Sequence, residues 1–523
     1  MSQPQLIIPM SGLGKRFIQA GYSLPKPLIL VRGKPIIEHV LHMYPAWDDI
    51  IFVVNENHLR DPVLRLEETL TRLSPKSKIR AINSHDQGPS FAVLQAQDLI
   101  DKERPIVVSY CDFSGKFDLK ELEKELASND ATLLTYSGFH PHMLRSTRFA
   151  YIKKFSNGHV SDIQEKNSYT IDPMREEASA GAYGFKSGKI LIEAIREQIT
   201  NKYSLNGEFY TSLTIRPILE NRGRVSSILM ENFYQWGTPE DLADFNYWTD
   251  SISHIDDSPI VISNDAKQST IILLAGKGQR VAEHSAVPKP AITVNGKQLW
   301  KMGLRAGIPA TESVMVIRDE TLPFIERYES MKLVLLNEPT NGQADSARLG
   351  LESSTDGLEL MVNILASDNV LPNNFSHSVL ELMRREDFDI VVWTSVNYPP
   401  AQLAPEHFSW VKVSSSLVQE SLFKTAPPSA DQEWQVITGN FTFKSRAQVL
   451  NLVTELLLNE NLKINKEFYL DSIIPLAMKK GIKVGALVVP NYFSLGTVDE
   501  LQTFNYWNEV LKEDFDLAPL GLI

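Results

Sequence analysis

At 523 residues, with 43% apolar and 22% charged side chains, the chain is too long for one ordinary hydrophobic core, and its composition excludes disordered, collagenous and coiled-coil architectures. A formal net charge of −12 argues against nonspecific adhesion to nucleic acid or anionic lipid, so any affinity for phosphate must be local. The single cysteine, Cys111, excludes an intramolecular disulfide framework and fits a reducing compartment, so a cytoplasmic protein is expected.

The chain opens with Met1-Ser2-Gln3-Pro4-Gln5, followed by a short apolar run at 6–10. There is no basic region and no apolar stretch long enough to span a bilayer, so membrane attachment would need a partner. The apolar run predicts a strand. It is followed by Ser11-Gly12-Leu13-Gly14-Lys15-Arg16, where glycines let backbone N–H groups approach an anion and Arg16 adds a rigid fork for phosphate oxygens. Lys26-Pro27 comes next. The proline holds the lysine in extended backbone, from which its ammonium can reach over the glycine loop. Short β-branched runs at 50–54 and 106–110 then alternate with amphipathic stretches such as 119–126, which predicts an α/β domain with a mostly parallel sheet covered on both faces. Asp112 follows the run at 106–110 and falls at the carboxyl edge of that sheet, where ligands bind in such folds and where a hard cation such as Mg²⁺ finds an oxygen ligand.

The second half repeats these features in the same order. A strand at 271–274 leads to Gly276-Lys277-Gly278-Gln279-Arg280, then Lys289-Pro290, then Asp368 after the run at 360–366. Glu208-Phe209-Tyr210 returns as Glu467-Phe468-Tyr469. Gly237-Thr238-Pro239-Glu240-Asp241-Leu242 returns as Gly496-Thr497-Val498-Asp499-Glu500-Leu501, and Phe-Asn-Tyr-Trp follows at 245–248 and again at 504–507. The expected organisation is a first domain at 1–248, a linker at 249–269 rich in Ser, Asp and Ile, and a second domain at 270–523.

In this combination, each half resembles the sugar-phosphate nucleotidyltransferases, or NDP-sugar pyrophosphorylases. The carriers are the Gly-x-Gly loop ending in Arg, the downstream Lys-Pro, the strand-end Asp and the closing Gly-Thr-Pro-Glu-Asp-Leu. The resemblance implies two tandem Rossmann-like nucleotidyltransferase domains. In each, a substrate phosphate attacks the α-phosphorus of an NTP in line, pyrophosphate leaves and Mg²⁺ balances charge. Carried over by position, Gly12, Gly14, Arg16 and Lys26 hold the triphosphate, Asp112 the metal, Gln87 and Gly88 the base, and Glu165, Lys166 and Gly181 the acceptor. The second half supplies Gly276, Gly278, Arg280, Lys289 and Asp368, with Asn341, Gly342, Gln343 and Ala344 near the base. The implied acceptor is a phosphorylated small molecule, by family default a sugar 1-phosphate destined for surface polysaccharide precursors.

The departures are specific. The family's second metal-binding Asp is replaced by Gln235 and by Ser494, Ser90 stands in the base loop where alanine is common, and the second half offers Glu420 and Lys424 in place of an adjacent Glu-Lys pair. Rival readings are a nucleotide-binding sensor or scaffold, favoured by the lost aspartates, and a glycosyltransferase, opposed by the lack of an Asp-x-Asp at 112–114 or 368–370. An interface that single-copy relatives form between subunits can be met within this chain or by a homo-oligomer. Cys111 is read as a small core residue, His85 and His159 receive no role, and the aromatic clusters at 245–248 and 504–507 are read as packing residues.

Overall fold

The computed structural model describes residues 3–145, 149–253, 255, 268–282, 285–304, 310, 312–327, 329–371, 375–429, 431 and 433–513. The chain divides into two compact units, whose boundary in sequence falls between Asn246 and Tyr247.

In the first unit, four strands run parallel in the spatial order Lys78–Ile82, Ile50–Asn55, Gln5–Met10 and Ile106–Ser109. Three of them, Gln5–Met10, Ile50–Asn55 and Ile106–Ser109, are buried along their whole length, as unbroken apolar runs require when helices cover both faces of a sheet. Beyond Ile106–Ser109 the sheet becomes mixed. Ala178–Phe185 joins antiparallel, and it carries Ala131–Tyr136 and the hairpin Ala150–Lys154 with Val160–Glu165. The α/β class holds, with parallel pairing concentrated in the glycine-loop half. A small ribbon pairs Phe113–Lys116 with Asn232–Gln235, and the backbone N–H of Trp236 donates to the carbonyl of Asp112 at 2.9 Å. This ribbon brings the closing Gly-Thr motif to the strand-end aspartate from more than a hundred residues away.

In the second unit, Lys332–Leu336, Glu312–Arg318, Gln268–Leu274 and Met361–Ala366 form the parallel half in the same succession. Trp434–Phe443 then joins antiparallel, followed by Ile390–Ser395 and Val484–Val488. The hairpin of Trp410–Ser414 and Leu417–Leu422 touches both Val484–Val488 and Trp434–Phe443, which curls this side of the sheet into a partial barrel. Asn369–Val370 pairs with Phe493–Ser494, the counterpart of the ribbon in the first unit.

The helix Pro239–Ser253 continues through the first residues of the expected linker, and Gln268 and Ser269 already belong to a strand. Residues 254 and 256–267 of that linker lie outside the described residues. The aromatic clusters pack in cores. Phe245 meets Trp236 edge-on in the first unit, with centroids 5.3 Å apart, and in the second Trp248 stacks on Phe493 at 4.9 Å.

Candidate functional site

The first unit holds a cavity of about 420 Å³ at the carboxyl edge of the parallel strands. Its walls gather Gly12, Gly14, Arg16, Lys26, Gly88 and Asp112, six of the residues nominated from sequence, from four separate stretches of chain. A Cβ at Gly12 or Gly14 would meet nothing within 4 Å, so the glycine loop is a cradle with room for a ligand beside the backbone. Lys26 sits in a short 3₁₀ turn ahead of Pro27, and its Nζ lies 2.9 Å from Oδ2 of Asp112. Burial works against the lysine's charge, but Asp112 and Cys111 beside it prevail and hold its pKa above the ordinary lysine value. The site therefore keeps a fixed ammonium facing the glycine loop.

Gly88 shows why the base loop is where it is. Its φ of +86° is accessible to glycine, and a Cβ there would lie 2.7 Å from the backbone nitrogen of Phe209. The close approach allows Phe209 N–H to donate to the Gln87 carbonyl at 2.8 Å and Ser90 N–H to donate to the Phe209 carbonyl at 3.0 Å. Gln87 enters this clamp through its backbone, and its side chain is exposed outside the cavity wall.

The acceptor nominees stand behind the cavity's far wall. Lys166, in left-handed backbone at φ 55°, places its Nζ 4.3 Å from the centroid of the Tyr210 ring and donates to the Tyr210 hydroxyl. Burial raises the pKa of Glu165, against the hydrogen bond it accepts from Ser212. The carbonyl of Gly181 accepts from the backbone of Tyr110, whose ring lines the cavity. Glu208, Tyr210, Tyr110 and His85 also line it. Sequence reasoning assigned none of these four a role, although the repeated Glu-Phe-Tyr was a signal for the first two. His85 lies 3.5 Å from the Ser11 hydroxyl, and burial lowers its pKa, so it meets the loop as a neutral ring. Cys111 is a cavity-wall residue, but burial first and then Asp112 push its thiol up to about 12, which leaves it unreactive.

The second unit repeats the central contact. Lys289 Nζ lies 2.6 Å from Oδ2 of Asp368 and donates to the Gly496 carbonyl at 3.2 Å. Burial would raise the pKa of Asp368, but Lys289 outweighs it and holds the carboxyl below its usual range. Gly342, at φ +123°, lies against Phe468 as Gly88 lies against Phe209, with Phe468 N–H donating to the Asn341 carbonyl and Ala344 N–H to that of Phe468. The Gln343 side-chain oxygen accepts from Leu470 N–H at 3.3 Å. Gly276 faces open space, Gly278 packs against the Lys289 side chain, and Arg280 acts electrostatically on Asp368. Glu420 does not join Lys424. It is exposed in the hairpin opposite Lys412, two residues short of the strand's end.

The residues at the missing aspartate positions are placed as substitutes. The Gln235 amide and Asp112 both flank Gly237, while the Ser494 hydroxyl donates to Glu500, a buried carboxylate that also accepts from Gly496 and Thr497 N–H. Among the described residues, no group of three or more His, Cys, Asp or Glu side chains is arranged to hold a metal. Each half offers one strand-end carboxylate, which fits Mg²⁺ as it is held in sites where substrate phosphates and water supply most ligands.

A glycine cradle, a fixed lysine and a strand-end aspartate at the edge of a parallel half-sheet define the first unit as an α/β domain of the nucleotidyltransferase type. Residues 6–251 match the family model described as Nucleotidyl transferase. The chain is also similar to Bifunctional protein GlmU of Methanocaldococcus jannaschii, at 23% identity over 284 residues that cover 54% of this chain and 60% of that protein. Among solved structures it is similar to a nucleoside-diphosphate-sugar pyrophosphorylase from Vibrio cholerae RC9, with a TM-score of 0.40, 20% identity, and coverage of 46% of this chain and 98% of that one. HddC from Yersinia pseudotuberculosis, complexed with GMP-PN, has a TM-score of 0.34 at 18% identity, with coverage of 46% and 96%.

Proposed function

We propose that the chain transfers a nucleotidyl group from an NTP to a phosphorylated small molecule and releases pyrophosphate. The acceptor class is a sugar 1-phosphate and the product a nucleotide-sugar used for surface polysaccharide, made in the cytoplasm by two tandem copies of one domain. The observation that carries this reading is the cavity of about 420 Å³ in which the glycine cradle, Arg16, Lys26 and Asp112 converge. Backbone N–H groups at Gly12 and Gly14 cradle the triphosphate, and Arg16 and Lys26 stabilise charge that develops on the α-phosphorus as the acceptor phosphate attacks in line. Asp112 and Asp368 are the residues that would hold Mg²⁺, which when bound neutralises phosphate charge. Glu165, Lys166 and Gly181 position the acceptor through the Tyr110 and Tyr210 wall.

The replacement of a carboxylate by the Gln235 amide beside Asp112 favours a second reading, a nucleotide sensor without turnover. Pyrophosphate release separates the two. Each common NTP is tested with Mg²⁺ and a panel of sugar phosphates, and at least one pair is expected to turn over. Nucleotide binding without pyrophosphate from any pair would favour the sensor.

A further inference from the structure

A polar cluster of the first unit is missing from the matching place in the second. Glu177 accepts hydrogen bonds from Lys154, from the Thr135 hydroxyl at 2.9 Å and from the Ser227 hydroxyl at 2.8 Å. Register identifies the counterparts. Thr135 faces Ser179 and Leu229 as Thr394 faces Ile437 and Val488, and Ala178 faces Tyr151 as Val436 faces Trp410. The same shift of register falls beside Lys154 and beside Val413. Glu177, Lys154, Ser227 and Thr135 therefore correspond to Gln435, Val413, Ala486 and Thr394. The threonine is kept, and its hydroxyl still donates, to Gln435 Oε1 at 2.7 Å, but the charge pair and the serine hydroxyl are gone.

Three of these counterparts, Val413, Gln435 and Ala486, line a cavity of about 400 Å³ that the helix Ser376–Glu386 bounds on its other side. An ion pair can be exchanged for apolar side chains of similar volume without leaving a gap. Here valine stands for lysine and alanine for serine, so the exchange left space. Leu382, Val413 and Leu487 give the cavity an apolar wall. Most of the polar groups that face it are donors. Gln435 is 9% exposed, and with its Oε1 engaged by Thr394 its N–H groups are left to the cavity. Ala486 N–H donates to the Ser416 carbonyl and Val489 N–H to that of Thr394, so by alternation Val488 turns its N–H to the cavity side. On the helix, Leu382 and Arg385 share one face, and Arg385 donates to Glu386 through Nε, which leaves the terminal N–H groups of its guanidinium. Glu381, one turn before Arg385, also lines the cavity and balances its charge. Donors beside an apolar wall, with the lining's charge compensated, suit a single negative charge on an apolar body and oppose a phosphate dianion.

We propose that this cavity is a ligand site of the second unit, separate from the Lys289–Asp368 contact, that takes a small monocarboxylate with an apolar body. Arg385 supplies the charge, the Gln435 amide a buried donor, and Leu382, Val413 and Leu487 the surface for the apolar body. In the first unit, Lys154 and Glu177 pair in the equivalent space.

The test uses the intact chain with phenylacetate and its neutral isostere phenylacetamide. Binding is followed by saturation-transfer NMR and located by hydrogen exchange of peptides spanning 376–388 and 411–418. The expected result is that phenylacetate slows exchange in both peptides and binds about tenfold more tightly than the amide, the worth of one charge-assisted hydrogen bond. Arg385→Gln should bring the acid down to the level of the amide. The double variant Val413→Lys with Gln435→Glu rebuilds the first unit's ion pair and should abolish binding of both, with its folding checked by thermal denaturation. Absence of binding, equal binding of acid and amide by the parent, protection confined to other peptides, or binding that survives in the folded double variant would each overturn the proposal. If the double variant does not fold, the Arg385→Gln comparison decides alone, and an acid preference unchanged in it overturns the proposal. None of these outcomes depends on turnover, so failure of pyrophosphate release bears only on the nucleotidyltransferase reading.

Discussion

Replacing Gly88 with alanine tests whether the base loop depends on close backbone approach. The substitution forces a side chain into a backbone region open essentially to glycine, at a cost of about 1–3 kcal/mol. The new Cβ would lie 2.7 Å from Phe209 N and 2.9 Å from Phe209 O, the two atoms that bond to Gln87 and Ser90. Neither is the end of a flexible side chain, so relief requires separating the two segments of the clamp and losing two backbone hydrogen bonds, about 2 kcal/mol more. The sum, about 3–5 kcal/mol, is a large part of a domain's stability and falls on one loop. Hydrogen exchange of peptides spanning 85–95 and 205–215 should quicken by about a hundredfold or more in Gly88→Ala, and nucleotide binding should weaken with it. Exchange within threefold of the parent would refute the reasoning. Gly342→Ala, where the Cβ would come within 2.6 Å of Phe468 N, should act in the same way on the second unit.

Glu500→Ala strips the carboxylate that caps the helix Val498–Glu513 and accepts from Gly496 and Thr497 N–H, so urea denaturation should show a loss of about 2 kcal/mol in the second unit. Glu312 is held below the ordinary carboxylate range: burial opposes this, but the bonds from Ser354 and Thr355 prevail. A depressed folded pKa contributes stability above the unfolded pKa that is lost as pH falls through the folded value. Glu312→Gln should therefore destabilise the protein at pH 7, with the gap to the parent closing below about pH 4; an equal gap at both pH values would contradict the assignment. Cys111, with its thiol pushed up to about 12, should react with an aromatic disulfide reagent at pH 8 at least about a hundredfold more slowly in the folded protein than in urea.

The residues proposed to carry phosphate chemistry were legible because they belong to short motifs at strand ends. Gly12, Gly14, Arg16 and Lys26 lie within fifteen residues of one another, and Asp112 follows a plain apolar run, so local pattern locates them without knowledge of the fold. The far wall of the cavity was not legible in the same way. Glu208 and Tyr210 reach it because Phe209 closes on Gly88, a contact across more than a hundred residues that no local period encodes. The mixed half of the sheet escaped for another reason. Ala178–Phe185 is buried at every position, and such a strand reads the same whether its neighbours run with it or against it. Glu420 was nominated by closeness in sequence to Lys424, whereas the carboxylate that accompanies that lysine is Asp471, delivered by a different element.

Lys26, held against Asp112 above the glycine cradle, is proposed to act on the reacting phosphorus. The most direct test is pyrophosphate release by the intact chain, compared with Lys26→Ala and Lys289→Ala, using the NTP and sugar phosphate that the parent turns over. Loss of a preorganised charge at a transferring phosphorus should lower the rate about 10²–10³-fold. That loss is predicted for Lys26→Ala with the first unit's acceptor, while Lys289→Ala leaves that activity in place. A Lys26→Ala protein that still binds the nucleotide and releases pyrophosphate at the parent's rate would contradict the claim.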